Sequence, residues 1–152
     1  MSMPTAEQNV WIDWILRGQI APTLPATWYA TLLSAIPGPG LPNGTEITVG
    51  GVTRRALSRA LTTFSGTQGA GSTVASSGTS GTSSNNADIE FAASASAPVA
   101  GAVAVGLFDA NVAGNCRFYG LITAAGSPIS RSWATGDQII VNAGDLQFVI
   151  AG

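Results

Sequence analysis

The sequence predicts an all-β, mainly antiparallel domain, a β-sandwich or barrel, preceded by one N-terminal α-helix. Three observations predict it. Short segments rich in β-branched and aromatic residues recur from Thr27 onward. Gly, Pro, Asn and Asp clusters separate them at intervals of roughly eight to twelve residues. Only the N-terminal stretch combines helical spacing with recognisable helix ends.

The helix is expected over residues 5–17. Thr5 and Gln8 have the spacing of a capping box. Val10, Trp11, Trp14 and Ile15 recur as one apolar stripe, and Gly18 is a natural stop. Two tryptophans on a short terminal helix need cover, from their own domain or from a neighbour. Pro22 and Pro25 then break the chain.

Thr27–Ala35 reads as the first core strand, and Glu46–Val49 as a short edge strand. Residues 37–44 form a Pro/Gly loop. Residues 52–64 are in conflict. Val52, Ala56, Leu57, Ala60, Leu61 and Phe64 have helical spacing, but the flanks permit a strand, which we assign to the second half. Ser65–Asn86 has the composition of a flexible linker, ordered by neighbouring subunits. Asp88–Ala92 alternates so that Ile89 and Phe91 share a face. Val99–Phe108 suits a strand buried on both faces. Arg117–Thr123, Ile129–Trp133, Gln138–Asn142 and Leu146–Ile150 follow, the last two joined across Ala143-Gly144-Asp145 as a hairpin. The expected organisation is a helix and docking segment over residues 1–25 and a β-domain over residues 26–152, with the Ser/Gly/Thr-rich loop at 65–86.

Composition restricts the chemistry. Only 9% of residues are charged, and the six basic residues are all arginine, against about 25% charged in an ordinary soluble domain. A surface so poor in ions suits burial against partners, because interface cores are depleted in Lys, Glu and Asp. The net charge of −2 argues against nucleic acid, which needs a basic stripe. Arg54, Arg55 and Arg59 are the one basic cluster, read as a solvated face or an interface patch. No stretch is long and apolar enough to cross a membrane, and no secretory leader is evident.

The chain has no histidine and one cysteine, Cys116. Ser-His-Asp and Cys-His nucleophiles are therefore absent, as are His-ligated metal sites. Cys116 sits among apolar residues and reads as a buried structural thiol. Without lysine there is no phosphate-binding Gly-Lys-Ser/Thr loop. Asp88 and Glu90 read as an exposed strand face. Asp109, Asp137 and Asp145 fall at turns, where Asp caps its own backbone. Trp28, Tyr29, Tyr119 and Trp133 offer an aromatic platform for sugar, with core packing the more ordinary use. No catalytic residue, metal ligand or cofactor is expected.

Several segments fall in a familiar order: the helix, Trp28-Tyr29-Ala30-Thr31-Leu32-Leu33, Asn43-Gly44-Thr45-Glu46-Ile47, Arg59–Phe64, Ala87-Asp88-Ile89-Glu90-Phe91, Gly106-Leu107-Phe108-Asp109-Ala110, Phe118-Tyr119-Gly120, Gly136-Asp137-Gln138 and Asn142-Ala143-Gly144-Asp145-Leu146. This order resembles the small tailed-bacteriophage proteins of the tail fibre type, over about residues 8–150. The resemblance implies a jelly-roll-like β-sandwich behind a helix and a non-enzymatic structural role on the outside of the virion. The chain departs from the pattern around Val52–Ser58 and in the Ser/Gly/Thr tract. The expected partners are other virion proteins and further copies of the chain, as a homo-oligomer with a trimer favoured. The expected contact residues are Val10, Trp11, Trp14, Ile15, Arg54, Arg55 and Arg59. Capsid decoration and host-receptor or carbohydrate binding are the alternatives, and a two-carboxylate hydrolase ranks last.

Overall fold

The computed structural model describes residues 1–77 and 80–149. Gly78 and Thr79, in the expected loop, and Ile150, at the end of the last expected strand, lie outside the described residues.

Helix α1 spans Thr5–Arg17 and ends on Gly18, whose φ of 68° is the left-handed conformation glycine adopts without penalty. The capping box does not form. Pro4 occupies the N-cap position with no side-chain cap, and the Gln8 amide donates to the Met3 carbonyl at 2.9 Å instead. Proline pre-sets the entry conformation that Thr5 was expected to stabilise.

Strand β1 (Thr27–Ala35) forms as expected and organises the large sheet. One edge pairs with β6 (Ala104–Phe108), and β6 pairs in turn with β7 (Cys116–Leu121). The other edge is shared. β3 (Arg55–Ser58) covers its N-terminal half and β2 (Thr45–Glu46) its C-terminal end. All these pairings are antiparallel. Three smaller antiparallel sheets complete the sandwich. β4 (Thr82–Ser84) pairs with β11 (Gln147–Val149), β5 (Ile89–Glu90) with β10 (Ile140–Val141), and β8 (Thr123–Ala124) with β9 (Ser127–Pro128). This is the several-sheet antiparallel sandwich with an N-terminal helix that the sequence predicts.

The conflict over residues 52–64 resolves as a strand in the first half, the reverse of the expectation. The free edge of β1 needs hydrogen-bond partners, and residues 55–58 supply them. Residues 60–64 then close one turn, in which Thr63 and Phe64 N–H groups both donate to the Ala60 carbonyl. The hairpin expected across residues 143–145 is a turn, but its arms do not pair with each other. β10 goes to β5 and β11 to β4, because each arm completes a sheet begun by an earlier strand. The 99–108 strand begins only at Ala104, and Val99 is fully exposed.

The large sheet is buried on both faces. Trp28, Ala30 and Leu32 of β1 alternate with Leu33. The first three join Val105, Leu107, Ile89, Phe91, Val52 and Leu146 in the main core, while Leu33 packs with Ala104, Phe108 and Cys116 on the opposite face. Gly106 sits between these side chains, and a Cβ there would lie 3.0 Å from Leu33 Cδ1. Full burial of β6 explains its unbroken apolar run. Burying Phe91 and Phe108 completely contributes on the order of 2–3 kcal/mol each.

The Ser/Gly/Thr tract is not the linker its composition suggests. It contains β4, and its ends are fastened by its own side chains. Ser83 Oγ donates to Ser65 O at 2.7 Å, and Ser84 N–H donates to Ser65 Oγ at 2.9 Å. Serine-rich sequence here supplies short-range donors and acceptors.

Candidate functional site

The seven predicted contact residues fall into three environments. The first is α1. Glu7 faces the β-domain, and Trp11 follows it one turn along the helix. Glu7 is the one buried residue of the helix, and Trp11 is half-buried against Trp14, with ring centroids 5.4 Å apart in an edge-on arrangement. Val10, Trp14 and Ile15 are exposed, as are Ile12 and, at 77%, Leu16. The apolar surface is therefore wider than the predicted stripe, and its most exposed part lies on the face away from the domain. Ile20, just past the helix, is 93% exposed. Neither apolar cluster includes a side chain of α1 among the described residues.

Polar contacts hold the helix in place. Arg117 of β7 donates from its Nη1 to Glu7 and from its Nε to Asp109 Oδ2 at 2.8 Å. Asp109 also accepts the Asn115 N–H at 2.8 Å. Burial pushes the Asp109 carboxyl upward, but the Asn115 N–H and the Arg117 guanidinium outweigh it and hold the group below the usual carboxylate range. Burial likewise opposes the Arg117 charge, and Asp109 and Glu7 more than restore it. Ser2 adds a β-bridge to Tyr119 of β7.

The second environment holds Arg54. Its side chain is only 8% exposed. It forms a two-point ion pair with Glu46, with Nε donating to Oε2 at 2.9 Å, and it donates to the carbonyls of Ala110 and Ala113. The guanidinium lies 3.9 Å from the Phe108 ring centroid. Arg54 is therefore not a member of a surface patch. It locks β2 and the 109–115 turn onto the sheet, a role that suits the planar fork of arginine. Beside it, burial and the nearby Glu46 push the Cys116 thiol up to about 12, leaving it un-ionised.

Arg55 and Arg59 form the third environment and are exposed. Arg59 rims a small apolar hollow of about 230 Å³ lined by Trp28, Phe64, Phe118 and Phe148. These four rings make a continuous edge-to-face row with centroid spacings of 5.6 to 5.9 Å.

Of the four aromatics weighed as a sugar platform, Trp28 belongs to the core, and Tyr29 and Tyr119 pack on the second cluster. Trp133 packs against the main core and also lines an open cleft of about 950 Å³ between the sheet and the 131–147 segment. Asp137 and Asp145 lie on the same cleft, each placed by its own turn. Sequence reasoning did not single out this cleft, because its lining is drawn from β1, β6, the end of β7 and the 131–147 segment, which only the fold brings together. No group of three or more Cys, Asp or Glu side chains among the described residues is arranged to hold a metal ion. No helix among them is long and apolar enough to cross a membrane.

No curated protein matches the chain. The family described as Podophage GP4 fiber I protein gp80 matches residues 2–149, which include α1, the buried residues of both apolar clusters and the eleven strands of the described residues. The resemblance carried by the ordered segments of the sequence agrees with it. The chain belongs to that family, and is a bacteriophage tail-fibre-type protein of the virion, on the tail exterior.

Proposed function

We propose that this chain is a non-enzymatic structural subunit of the fibre apparatus, and that α1 is its docking element. The observation that carries this reading is the inverted burial of the helix: it buries its glutamate and exposes Val10, Ile12, Trp14, Ile15 and Leu16. A helix apolar around most of its circumference is stable in water only when other surfaces cover it. Covering one such side chain contributes about 1.5–3 kcal/mol, so a few of them suffice for a specific contact.

The partners are other fibre or tail proteins and further copies of the chain, in a homo-oligomer that is trimeric by preference. Nucleic acid and membrane are not partners. Trp11 shares the contact as the ring against which Trp14 is set. Arg55 and Arg59 form a second, cationic contact on the β3 side. Arg54 supports that contact from inside the fold.

Particle incorporation tests the proposal. An Ile12→Ser, Leu16→Ser variant keeps the Glu7–Arg117 anchor and should fold with an unchanged circular dichroism spectrum, yet be missing from assembled particles. A Trp11→Ala, Trp14→Ala variant should fail in the same way. Wild-type incorporation of both variants would show that α1 is not the docking element.

A further inference from the structure

The aromatic hollow beside Arg59 and the outer face of α1 are complementary in shape and charge. At about 230 Å³ the hollow lies below the usual range of small-molecule sites, about 300–1,000 Å³. It has room for one or two side chains. Leu24 and Leu107 complete its lining with the four rings, and Phe64, Phe118 and Phe148 are only half-buried around it. Concave apolar surface of this size is covered best by an inserted side chain, as in the central pockets of specific interfaces. Polar groups are confined to the rim. Ser83 Oγ already donates to Ser65 O, and Arg59 stands in no ion pair among the described residues. The fitting occupant is a protruding apolar side chain with a carboxylate beside it.

The helix presents that combination. Ile12, Asp13 and Leu16 share the side of α1 opposite Glu7, by the 3.6-residue period. Ile12 and Leu16 are exposed and one turn apart. Asp13 pairs on the surface with Arg17 at 2.9 Å, and an exposed pair of this kind contributes little, so it yields to a better-enclosed partner.

Within one chain the two surfaces are kept apart. Glu7 and Arg117 pin α1 to β7, at one edge of the main sheet. Arg59 extends β3 at the other edge, where its N–H donates to Ala26 O at 2.8 Å. Among the described residues, none from α1 lines the hollow. Between copies the two surfaces can meet. On the reading of α1 as the docking element, we propose that the hollow receives α1 of a second copy of the chain, with Leu16 inserted among the rings, Ile12 beside it and Asp13 against Arg59. The contact is heterologous, because each copy gives a helix on one side and a hollow on the other. Its repetition closes a ring or runs on as a filament, and a trimer is the ring that the proposed copy number requires.

Sedimentation of the full chain over a concentration series up to about 100 µM tests this. The wild type should self-associate. Arg59→Glu and Asp13→Arg are surface substitutions outside both apolar clusters. Each should weaken association at least about tenfold, because it sets like charges against each other. Combining them in one chain reverses the pair and should restore association to within about threefold of wild type. Cross-linking identifies the contact directly. On oxidation, Asp13→Cys chains mixed with Arg59→Cys chains should join by a disulfide faster than either variant joins to itself, while the buried Cys116 thiol stays unreactive. The proposal is overturned if the wild type is monomeric throughout, if the single charge reversals have no effect, if the double reversal does not restore association, or if the mixed disulfide has no advantage. Should any of these results accompany loss of the Ile12→Ser, Leu16→Ser variant from particles, α1 docks on a different virion protein, and the docking reading stands while this one falls.

Discussion

Asn85 is the side chain on which the second layer of the sandwich turns. It is almost fully buried, yet its amide is satisfied: Oδ1 accepts the Leu146 N–H at 2.9 Å, and Nδ2 donates to Ala87 O at 2.8 Å and Asn142 O at 2.9 Å. It ties the end of β4 to the turn that launches β11. Asn85→Ala leaves one N–H and two carbonyls to find other partners in the interior, so we expect a loss of about 2–4 kcal/mol. Urea unfolding measures it as a lower midpoint at constant slope. Asn85→Asp, which sets an oxygen against two carbonyls, should lose at least as much. A loss under about 1 kcal/mol in either variant would mean that the bonds are replaceable. Little of this was legible in the sequence, where Asn85 closes a polar low-complexity tract. Arg54 was hidden for a related reason. Three nearby arginines read as one patch, but the turn into an extended strand sends the first inward to Glu46 and Phe108 and leaves Arg55 and Arg59 outside. Burial of one charge in a cluster depends on a carboxylate eight residues away, which composition does not reveal.

At the scale of elements, α1 is attached by a short polar chain rather than by an apolar seam. Asp109 and Glu7 converge on Arg117, joining the helix, the 109–115 turn and β7. The folded-state pKa of Asp109 is depressed from its ordinary 3.8. Its contribution to stability is therefore complete above that value and disappears as the pH falls through the lower folded-state pKa. Asp109→Asn should be less stable than wild type at neutral pH, and the gap should narrow progressively as the pH falls below 3.8. Urea titrations at pH 6 and at pH 2.5 check this, and a gap independent of pH would remove Asp109 from the anchor. The elements with strong local signals were legible: Thr27–Ala35 by its strand formers, the helix stop by Gly18, and the inward pair Ile89 and Phe91 by alternation. Residues 52–64 were not, because their helical spacing competes with a demand that no local pattern contains, the unpaired edge of β1. The same holds for β10 and β11. Their turn is written in Ala143-Gly144-Asp145, but the strands they pair with lie fifty or more residues away.

For the molecule as a whole, half of the sparse charges are paired with one another. Three of the six arginines and four of the eight acidic residues stand in ion pairs. What remains outside is weakly charged and carries the apolar face of α1, so dispersal in water depends on polar uncharged groups and, on the docking role proposed above, on cover from partners. Composition, through the residue types that are missing, is what favours the partner-covered structural role proposed above. The cleft was not legible, because it exists only once β1, β6 and the 131–147 segment are brought together. Hydrogen exchange over residues 5–20, in the isolated chain and in intact particles, tests the central claim most directly. In the free chain, the α1 amides should exchange quickly, since polar contacts alone hold the helix. In the particle, the amides under Ile12, Ile15 and Leu16 should become strongly protected. Equal exchange in the two states would mean that nothing covers the helix and that the chain is held on the tail by some other surface.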